Sequence, residues 1–328
     1  MRISTIIAWL IGVALLAGLM ALHDARQVLD EVTALRGWFA AIIAFHAVPL
    51  CLDIAAWRRL FAAPPSFGML GGIRWIAESV NGLIPVPLLG ELLRANLVRR
   101  STGSNEGGAT VVVDVTLAVG TQVPFTILGL VLLARLAHGD ALLPALLVAA
   151  AVLTGCAVSF YLMQRAGLFA LTAAIVRRWP GPARRLIDID GARALDDRVR
   201  AIYARRGDLA ISAVWRLLGW TAGAGETWLV LYGLGHPVSF VDAVMLESLS
   251  QAARTAAFAI PGGLGVQDGA LLLLSAQLGL SPETGLALAL AKRCRELAVG
   301  LPGLAITYFI EARRLAATGG WRGEPPSA

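Results

Sequence analysis

The chain has 328 residues, of which 57% are hydrophobic and only 15% are charged, and its mean hydropathy is +0.70. This composition excludes a disordered chain and is too apolar for an ordinary soluble enzyme. The net charge of +6 comes from arginines that gather at segment ends, where orientation signals and phospholipid contacts lie, so no nucleic-acid partner is expected. Runs of about 20 apolar residues predict an all-α integral membrane protein.

Apolar runs predict about six full transmembrane helices. They cover residues 4–22, 37–56, 108–136, 140–164, 209–233 and 283–311. The first run is long enough to span and lacks a small-residue cleavage site, so a retained helix is expected instead of a signal peptide. Residues 316–328 are expected to form a disordered tail, which leaves 1–315 as a single polytopic membrane domain.

Two further segments, 68–98 and 240–280, are apolar stretches broken by Ile-Pro at Pro85 and Pro261. Proline removes a backbone donor and clashes with the preceding turn. Inside a membrane, such a break is tolerated only where protein or a water-filled cavity satisfies the freed backbone groups. Each segment is therefore predicted to be a helix–break–helix unit, either a re-entrant hairpin or a pair of short crossings.

The distribution of arginine predicts the orientation. Residues 165–208 contain ten arginines and five aspartates. The positive-inside rule makes this segment cytoplasmic and, by counting crossings, places both termini in the cytoplasm of a bacterial-type inner membrane. Its apolar residues have helical spacing, so we expect an amphipathic segment on the inner leaflet.

Two stretches of the chain, about 37–136 and 213–312, resemble each other. Glu78-Ser79 in the first matches Glu247-Ser248 in the second, and the two Ile-Pro motifs follow in the same order. Chance is an alternative for the Glu-Ser match taken alone. The predicted topology lets the two broken units enter from opposite sides, which favours inverted repeats of the kind found in secondary transporters.

Charged residues occur where lipid-facing residues are expected. Lys292, the only lysine, lies in an apolar span with Arg293, Arg295 and Glu296. A charge at the centre of a membrane helix costs about 2.5–3.5 kcal/mol, so such residues face a partner or a cavity. The group is either an internally paired structural cluster or a headgroup or counter-ion site. Its net positive charge favours the second interpretation.

Asp114 lies about 10 Å inside the corresponding helix of the first repeat. We hypothesise that it pairs with Lys292 or Arg293, permanently or in one conformational state. Asp53 is expected to pair with Arg58 or to reach the interface, and His46 is expected to be a packed hydrogen-bonding residue instead of a proton relay.

The broken units add further polar candidates. These are Glu78, Asn81, Glu91 and Arg94 on the inner side, and Glu247, Arg254, Gln267 and Asp268 on the outer side. Gly262, Gly263 and Gly265 either expose backbone N–H groups to an anion or only permit tight packing, and both alternatives remain open. Neither a metal-ligand set nor a catalytic nucleophile is recognisable, so no cofactor and no enzyme activity are expected.

The stretches ESVNGLIPVPLLGELLRANLV, VVVDVTLAVGTQ, IPGGLGVQDGALLL and ALAKRCRELAVGLPGL resemble the lysylphosphatidylglycerol synthase transmembrane-domain family. The nearest likeness, over about 1–315, is to its HpnL-type branch, which is associated with hopanoid biosynthesis. The resemblance implies a flippase-like domain with two re-entrant elements that handles lipid, without the aminoacyl-transferase domain of the full synthases. It carries over Glu78, Asn81, Pro85, Glu91, Asp114, Pro261, Gly262, Gly263, Gly265, Gln267, Asp268, Lys292, Arg293 and Glu296 as site residues.

The leading hypothesis is therefore a translocator of membrane lipid, with a phospholipid or hopanoid headgroup as its partner. The main alternative is a non-transporting scaffold that binds lipid-biosynthetic enzymes. An intramembrane lipid-modifying enzyme is a third reading, disfavoured because no catalytic group is apparent.

Overall fold

The computed structural model describes residues 3–84, 86, 88–104, 106–136, 143–178, 188–257 and 260–317. The described part of the chain is helical and contains no strand. The helices are α1 (Ile3–Leu22), α2 (Ala25–Ala34), α3 (Phe39–Phe45), α4 (Ala47–Arg58), α5 (Phe67–Leu83), α6 (Leu89–Thr102), α7 (Glu106–Arg135), α8 (Leu143–Arg165), α9 (Leu168–Arg178), α10 (Ile189–Ala204), α11 (Arg206–Gly233), α12 (Phe240–Ala256), α13 (Val266–Gln277) and α14 (Pro282–Ala317). Pro85 and residues 318–328 of the predicted tail lie outside the described residues.

Two helical stretches, Phe39–Arg58 and Glu106–Arg135, are long and apolar enough to cross a membrane. Two helix pairs pass the same test together but are bent, Leu10–Leu22 with Ala25–Gly37 by 98° and Ala150–Arg165 with Leu168–Arg177 by 78°. By length and composition, the described residues thus contain two spans, or up to four if each bent pair is one span. The predicted count of six is not confirmed, since α11 and α14 carry charged residues within their apolar runs.

The first of these spans, formed by α3 and α4, is interrupted at His46. Pro49 explains the interruption, because its ring has no N–H to donate to the carbonyl of Phe45 and crowds that carbonyl. The sequence therefore places His46 at a kink in the middle of an apolar helix.

Both predicted helix–break–helix units are present, as α5–α6 and α12–α13. Each unit begins with a serine cap: the Ser66 hydroxyl accepts a hydrogen bond from the backbone N–H of Met69, and Ser239 accepts one from Asp242. Serine at this position satisfies a backbone donor that the helix itself cannot. The two units thus start with the same local structure.

The breaks themselves need unusual backbone conformations. The first ends at Leu88, which has a positive φ of 63°. The second has positive φ at Gly262 (62°), Gly263 (61°) and Gly265 (77°), a region that favours glycine. At Gly265 a Cβ atom would also lie 2.2 Å from the Cβ of Leu15 in α1, so this glycine is required for close packing as well.

Helix packing links the two predicted repeats reciprocally. Helix α4 lies against α11, α5 packs on α14, and α12 packs on α7. Two large apolar cores result, one around Trp57, Leu70 and Val98, the other around Leu231 and Leu249, with a smaller one around Phe125 and Ala224. One end of α11 packs into each of the two large cores. The polar side chains of α11 therefore lie between these cores.

The arginine-rich segment contains α9 and α10. Helix α10 buries Val199 and Ile202 against α7 and α8, and the carboxylate of Asp196 accepts two backbone N–H groups at the start of α9, at 3.2 and 2.8 Å. The apolar face of α10 is therefore covered by protein. By contrast, α9 exposes Leu171 and Ile175, as expected for a helix that contacts lipid.

Candidate functional site

The charged residues of the apolar helices gather in two buried ion-pair networks. The Asp114 network consists of Asp53, Arg74, Glu91, Arg94, Asp114 and Arg216. The α14 network consists of Lys292, Arg293, Arg295 and Glu296 of α14 with His46, Glu78, Glu226, Glu247, Arg254 and Asp268 from other helices. Buried charges of this kind need partners to be tolerated.

Asp114 is the centre of the first network. Its side chain is 1% exposed, and it forms ion pairs with Arg94 at 2.8 Å and with Arg216. Arg74 approaches the same carboxylate at 3.8 Å. The hypothesised pairing of Asp114 with Lys292 or Arg293 is absent from this structure, because these arginines occupy its carboxylate.

The remaining carboxylates complete the charge balance of the Asp114 network. Asp53 pairs with Arg74 at 2.9 Å and with Arg216 at 2.6 Å, and Glu91 pairs with Arg94 at 3.0 Å. Three arginines thus face three carboxylates, and the network is neutral. The predicted pairing of Asp53 with Arg58 is wrong.

Arg94 of this network and the neighbouring Arg58 make further contacts. The Arg58 Nε donates to the backbone oxygen of Pro65 at 2.9 Å, which fixes the turn before α5. The guanidinium of Arg94 lies 4.5 Å from the ring centroid of Trp57, a cation–π geometry. Arg94 is therefore held from both sides inside the protein.

Asn81 and Glu91 position the start of α6. The Asn81 side chain accepts from the backbone N–H of Gly90 at 2.9 Å and donates to Glu91 at 3.2 Å. A Cβ at Gly90 would lie 2.3 Å from the backbone oxygen of Ala77, so α6 begins in close contact with α5. These predicted site residues hold the first break in shape.

In the α14 network, Lys292 is paired with the carboxylate of Glu247. Its Nζ lies 2.5 Å from Glu247 Oε2 and donates to the Thr227 hydroxyl at 2.8 Å. The other oxygen of Glu247 accepts from Gln251 at 2.8 Å. The glutamate of the predicted Glu-Ser match therefore lies on α12 as the ion-pair partner of Lys292, the only lysine.

Arg293 joins α14 to the second break. It contacts Asp268 at 3.2 Å and Glu296 at 2.9 Å, and donates to the backbone oxygen of Gly262 at 2.9 Å. Arg254 pairs with Glu296 at 2.6 Å. The carbonyl freed by the break is thus satisfied by a side chain, as a break inside a membrane requires.

The start of α13 is capped by a carboxylate of the protein itself. Asp268 accepts the backbone N–H of Gly265 at 2.8 Å, and Gln267 accepts from Arg293 and Arg254 at 3.3 and 3.4 Å. The helix start does attract a negative charge, as its dipole favours. That charge is the carboxylate of Asp268, so the glycines of the break serve the backbone conformation.

His46 connects four helices. Its Nδ1 lies 3.0 Å from Glu226 of α11, and its Nε2 lies 2.9 Å from Glu78 of α5. Arg295 of α14 donates to the other oxygen of Glu226 at 2.9 Å. We call His46, Glu78 and Glu226 the His46 triad.

The positive excess inferred from α14 alone does not exist in the folded chain. Its cations are matched by Glu226, Glu247 and Asp268, which come from other helices. The positive charge of α14 alone therefore does not favour a headgroup site over a paired cluster, because one helix shows only its own charges. Among the described residues, no group of His, Cys, Asp and Glu side chains could hold a metal ion.

Sequence reasoning missed Arg74, Arg216 and Glu226. Arg216 and Glu226 lie inside the predicted span 209–233, where the insertion cost that drew attention to Lys292 applies equally. The sequence therefore contained the signal that these two residues are charges inside an apolar span, although it did not show which residues pair with them.

Two pockets lie where the serine-capped units begin. One, of about 300 Å³, is bordered by Arg58, Arg59, Phe67 and Trp215. The other, of about 560 Å³, is lined by Phe45, Gly225, Trp228, Leu229, Val238, Ser239 and Phe240. Each lies beside the turn between two helices, α4–α5 or α11–α12, and each receives one aromatic ring from the other predicted repeat. The first pocket is basic, and the second is apolar.

A helical protein with apolar helices long enough to cross a membrane and with charges paired in its interior belongs to the class of polytopic membrane proteins with a polar core. The family model for the lysylphosphatidylglycerol synthase TM region matches residues 9–303. The chain belongs to this family. Comparison with curated proteins gave no match, and neither did comparison with solved structures.

Proposed function

We propose that the protein is a lipid translocator of the inner membrane. A headgroup crosses along the polar contact between the two repeats while the acyl chains stay in the bilayer. The observation that carries this proposal is that buried ion pairs join the repeats across the contact between α4 and α11.

These interrepeat pairs are suited to exchange with a headgroup. Arg216 of α11 contacts Asp53 of α4 and Asp114 of α7. Separating the repeats strips Arg216 of both carboxylates, and a buried charge without a partner is strongly destabilising. A lipid phosphate offers the same bidentate geometry as a carboxylate, so it can replace the lost partners while the contact is open.

Reciprocal packing supports an inverted-repeat mechanism. The broken unit of each repeat packs on the long helix of the other, α5 on α14 and α12 on α7. Because every such contact has a counterpart, rocking one repeat against the other closes one side as it opens the opposite side. Two other features correspond between the repeats in the same way. They are the serine caps at Ser66 and Ser239 and the two pockets beside them.

The basic pocket is the proposed entrance from the inner leaflet. Arg58 and Arg59 are exposed, and neither forms an ion pair with another described residue. Cytoplasmic leaflets carry anionic lipids that attract such cations. Phe67 and Trp215 add apolar and interfacial surface for the glycerol and upper acyl region.

The test is lipid movement in liposomes that contain purified protein. Labelled phosphatidylglycerol, a zwitterionic phospholipid and a hopanoid are compared, and the label in the outer leaflet is destroyed with an impermeant reductant. Wild-type protein should move at least one lipid between leaflets, and Arg216→Gln should lose this movement. The matched control is Arg200→Gln, because Arg200 is exposed and forms its ion pair at the surface.

Two other results would count against translocation, and a third would count against the proposed role of Arg216. No movement of any lipid, together with co-purification of lipid-synthesis enzymes, favours the scaffold. Chemical conversion of a labelled lipid favours an enzyme. Equal movement by both variants, with equal incorporation, removes Arg216 and the interrepeat pairs from the mechanism.

A further inference from the structure

The geometry of the His46 triad requires one additional proton. Both ring nitrogens of His46 lie at hydrogen-bond distance from a carboxylate, Nδ1 from Glu226 at 3.0 Å and Nε2 from Glu78 at 2.9 Å. A neutral imidazole has one N–H, and an ionised carboxylate can only accept. Both hydrogen bonds therefore form only if the triad holds one proton more than a neutral histidine and two carboxylates.

The surroundings place this proton on His46. Arg295 donates to Glu226, which favours the ionised form of that carboxylate. The Glu78 side chain is 35% exposed, and contact with water also favours its ionised form. With His46 protonated, these four groups sum to zero charge, whereas a neutral His46 leaves a net negative charge in a largely buried site.

Other charged groups near the triad are already neutralised. Arg74 of α5 is the next cation beside Glu78, and it pairs with Asp53 at 2.9 Å. Lys292 of α14 is the next cation beside Glu226, and it pairs with Glu247 at 2.5 Å. On α7, Asp114 is occupied by Arg94 and Arg216, and on α14 Glu296 is paired with Arg254 and Arg293. Among the described residues, the proton on His46 is therefore the remaining neutralising charge.

We propose that the His46 triad is a proton-binding site that couples proton movement to lipid translocation, an inference that rests on the proposed function. The triad joins α4 to α11, the contact that must open. When it opens, Nδ1 loses its carboxylate, and an imidazole that meets water releases its second proton near neutral pH. One proton passes from hydronium, by way of the exposed side of Glu78, to the ring nitrogen, where an N–H bond forms as the O–H bond breaks. On release the N–H bond breaks and water takes the proton, so no other bond changes.

The first experiment measures the proton without any transport. Nitrogen NMR of histidine-labelled protein in nanodiscs is compared with that of His46→Gln, which assigns the signal. At pH 8, both ring nitrogens of His46 should carry protons. A neutral His46 at pH 8 overturns the proposal.

The second experiment imposes a pH gradient on the lipid assay, with a pH-sensitive dye enclosed in the liposomes. For one proton per lipid, each pH unit shifts the final leaflet ratio by up to about tenfold. Wild type and the matched control His236→Gln should show this shift together with a luminal pH change. His46→Gln should abolish both responses. If this variant does not fold, Glu78→Gln removes a partly exposed partner and should weaken both.

The outcomes separate the two proposals. Lipid movement that ignores the gradient, without a luminal pH change, overturns proton coupling and leaves translocation standing. No lipid movement in wild type refutes translocation and its coupling, and the NMR measurement then decides whether His46 binds a proton.

Discussion

Replacing Asp114 with asparagine tests whether the Asp114 network stabilises the fold. The side chain is 1% exposed, and it faces Arg94, which is 0% exposed, and Arg216, which is 3% exposed. Asparagine keeps the shape of the side chain but removes the negative charge. The network changes from three cations and three anions to an excess of one buried cation.

The magnitude follows from the partners that remain. Removing one member of a buried ion pair costs about 3–5 kcal/mol, since the other member is left without compensation. Here Arg216 keeps Asp53 at 2.6 Å, and Arg94 keeps Glu91 at 3.0 Å. We therefore expect Asp114→Asn to lower the free energy of unfolding by about 3 kcal/mol, at the lower end of this range. This is roughly a hundredfold in the folding equilibrium.

The assay is unfolding in mixed micelles by a denaturing detergent, followed by circular dichroism. The control is Asp197→Asn, because Asp197 is 75% exposed and its pair with Arg200 is at the surface, so less than about 1 kcal/mol is expected. Adding Arg94→Met to Asp114→Asn returns the network to neutrality and should recover part of the loss. The reasoning is refuted if Asp114→Asn matches the control, or if the two changes simply add.

Three further outcomes are expected. Gly90→Ala should cost about 1–3 kcal/mol, because the new Cβ would lie 2.3 Å from a backbone oxygen of α5, whereas Gly72→Ala, with nothing within 4 Å, should not destabilise in the same unfolding assay. Lys292→Met should cost about 3 kcal/mol by leaving Glu247 without its cation, and Glu247→Gln in the same chain should restore most of the loss. In a cysteine-free background, Asp197→Cys should react with an impermeant thiol reagent only after the cytoplasmic face is opened, and labelling of intact cells would contradict the predicted orientation.

The sequence was sufficient for features that depend on local chemistry. The two broken units were predictable because proline and glycine act on their own backbone, and the helix around Asp114 was predictable from its apolar run. It was also predictable that charges inside apolar helices have partners.

The identity of those partners could not be read from local patterns. Asp114 and Arg216 are 102 residues apart in the chain, and only the packing of α7 on α11 brings them together. Lys292 of α14 and Glu247 of α12 are likewise distant in the chain, 45 residues apart, and meet only in the folded protein. The net positive charge of α14 belongs to one helix, whereas neutrality depends on the carboxylates of the helices packed around it.

The use of ion pairs between the repeats has a physical reason. In a bilayer, lipid tails are as apolar as leucine, so apolar contact between two helical units gives little preference for the closed arrangement over one filled by lipid. Charged pairs do give that preference, because lipid tails cannot replace a carboxylate opposite Arg216 or His46. A phosphate headgroup can replace it, and water can take the proton of His46. In the proposed mechanism, the contact between α4 and α11 is therefore stable against tails and open to headgroup and proton, which is the selectivity that a lipid translocator needs.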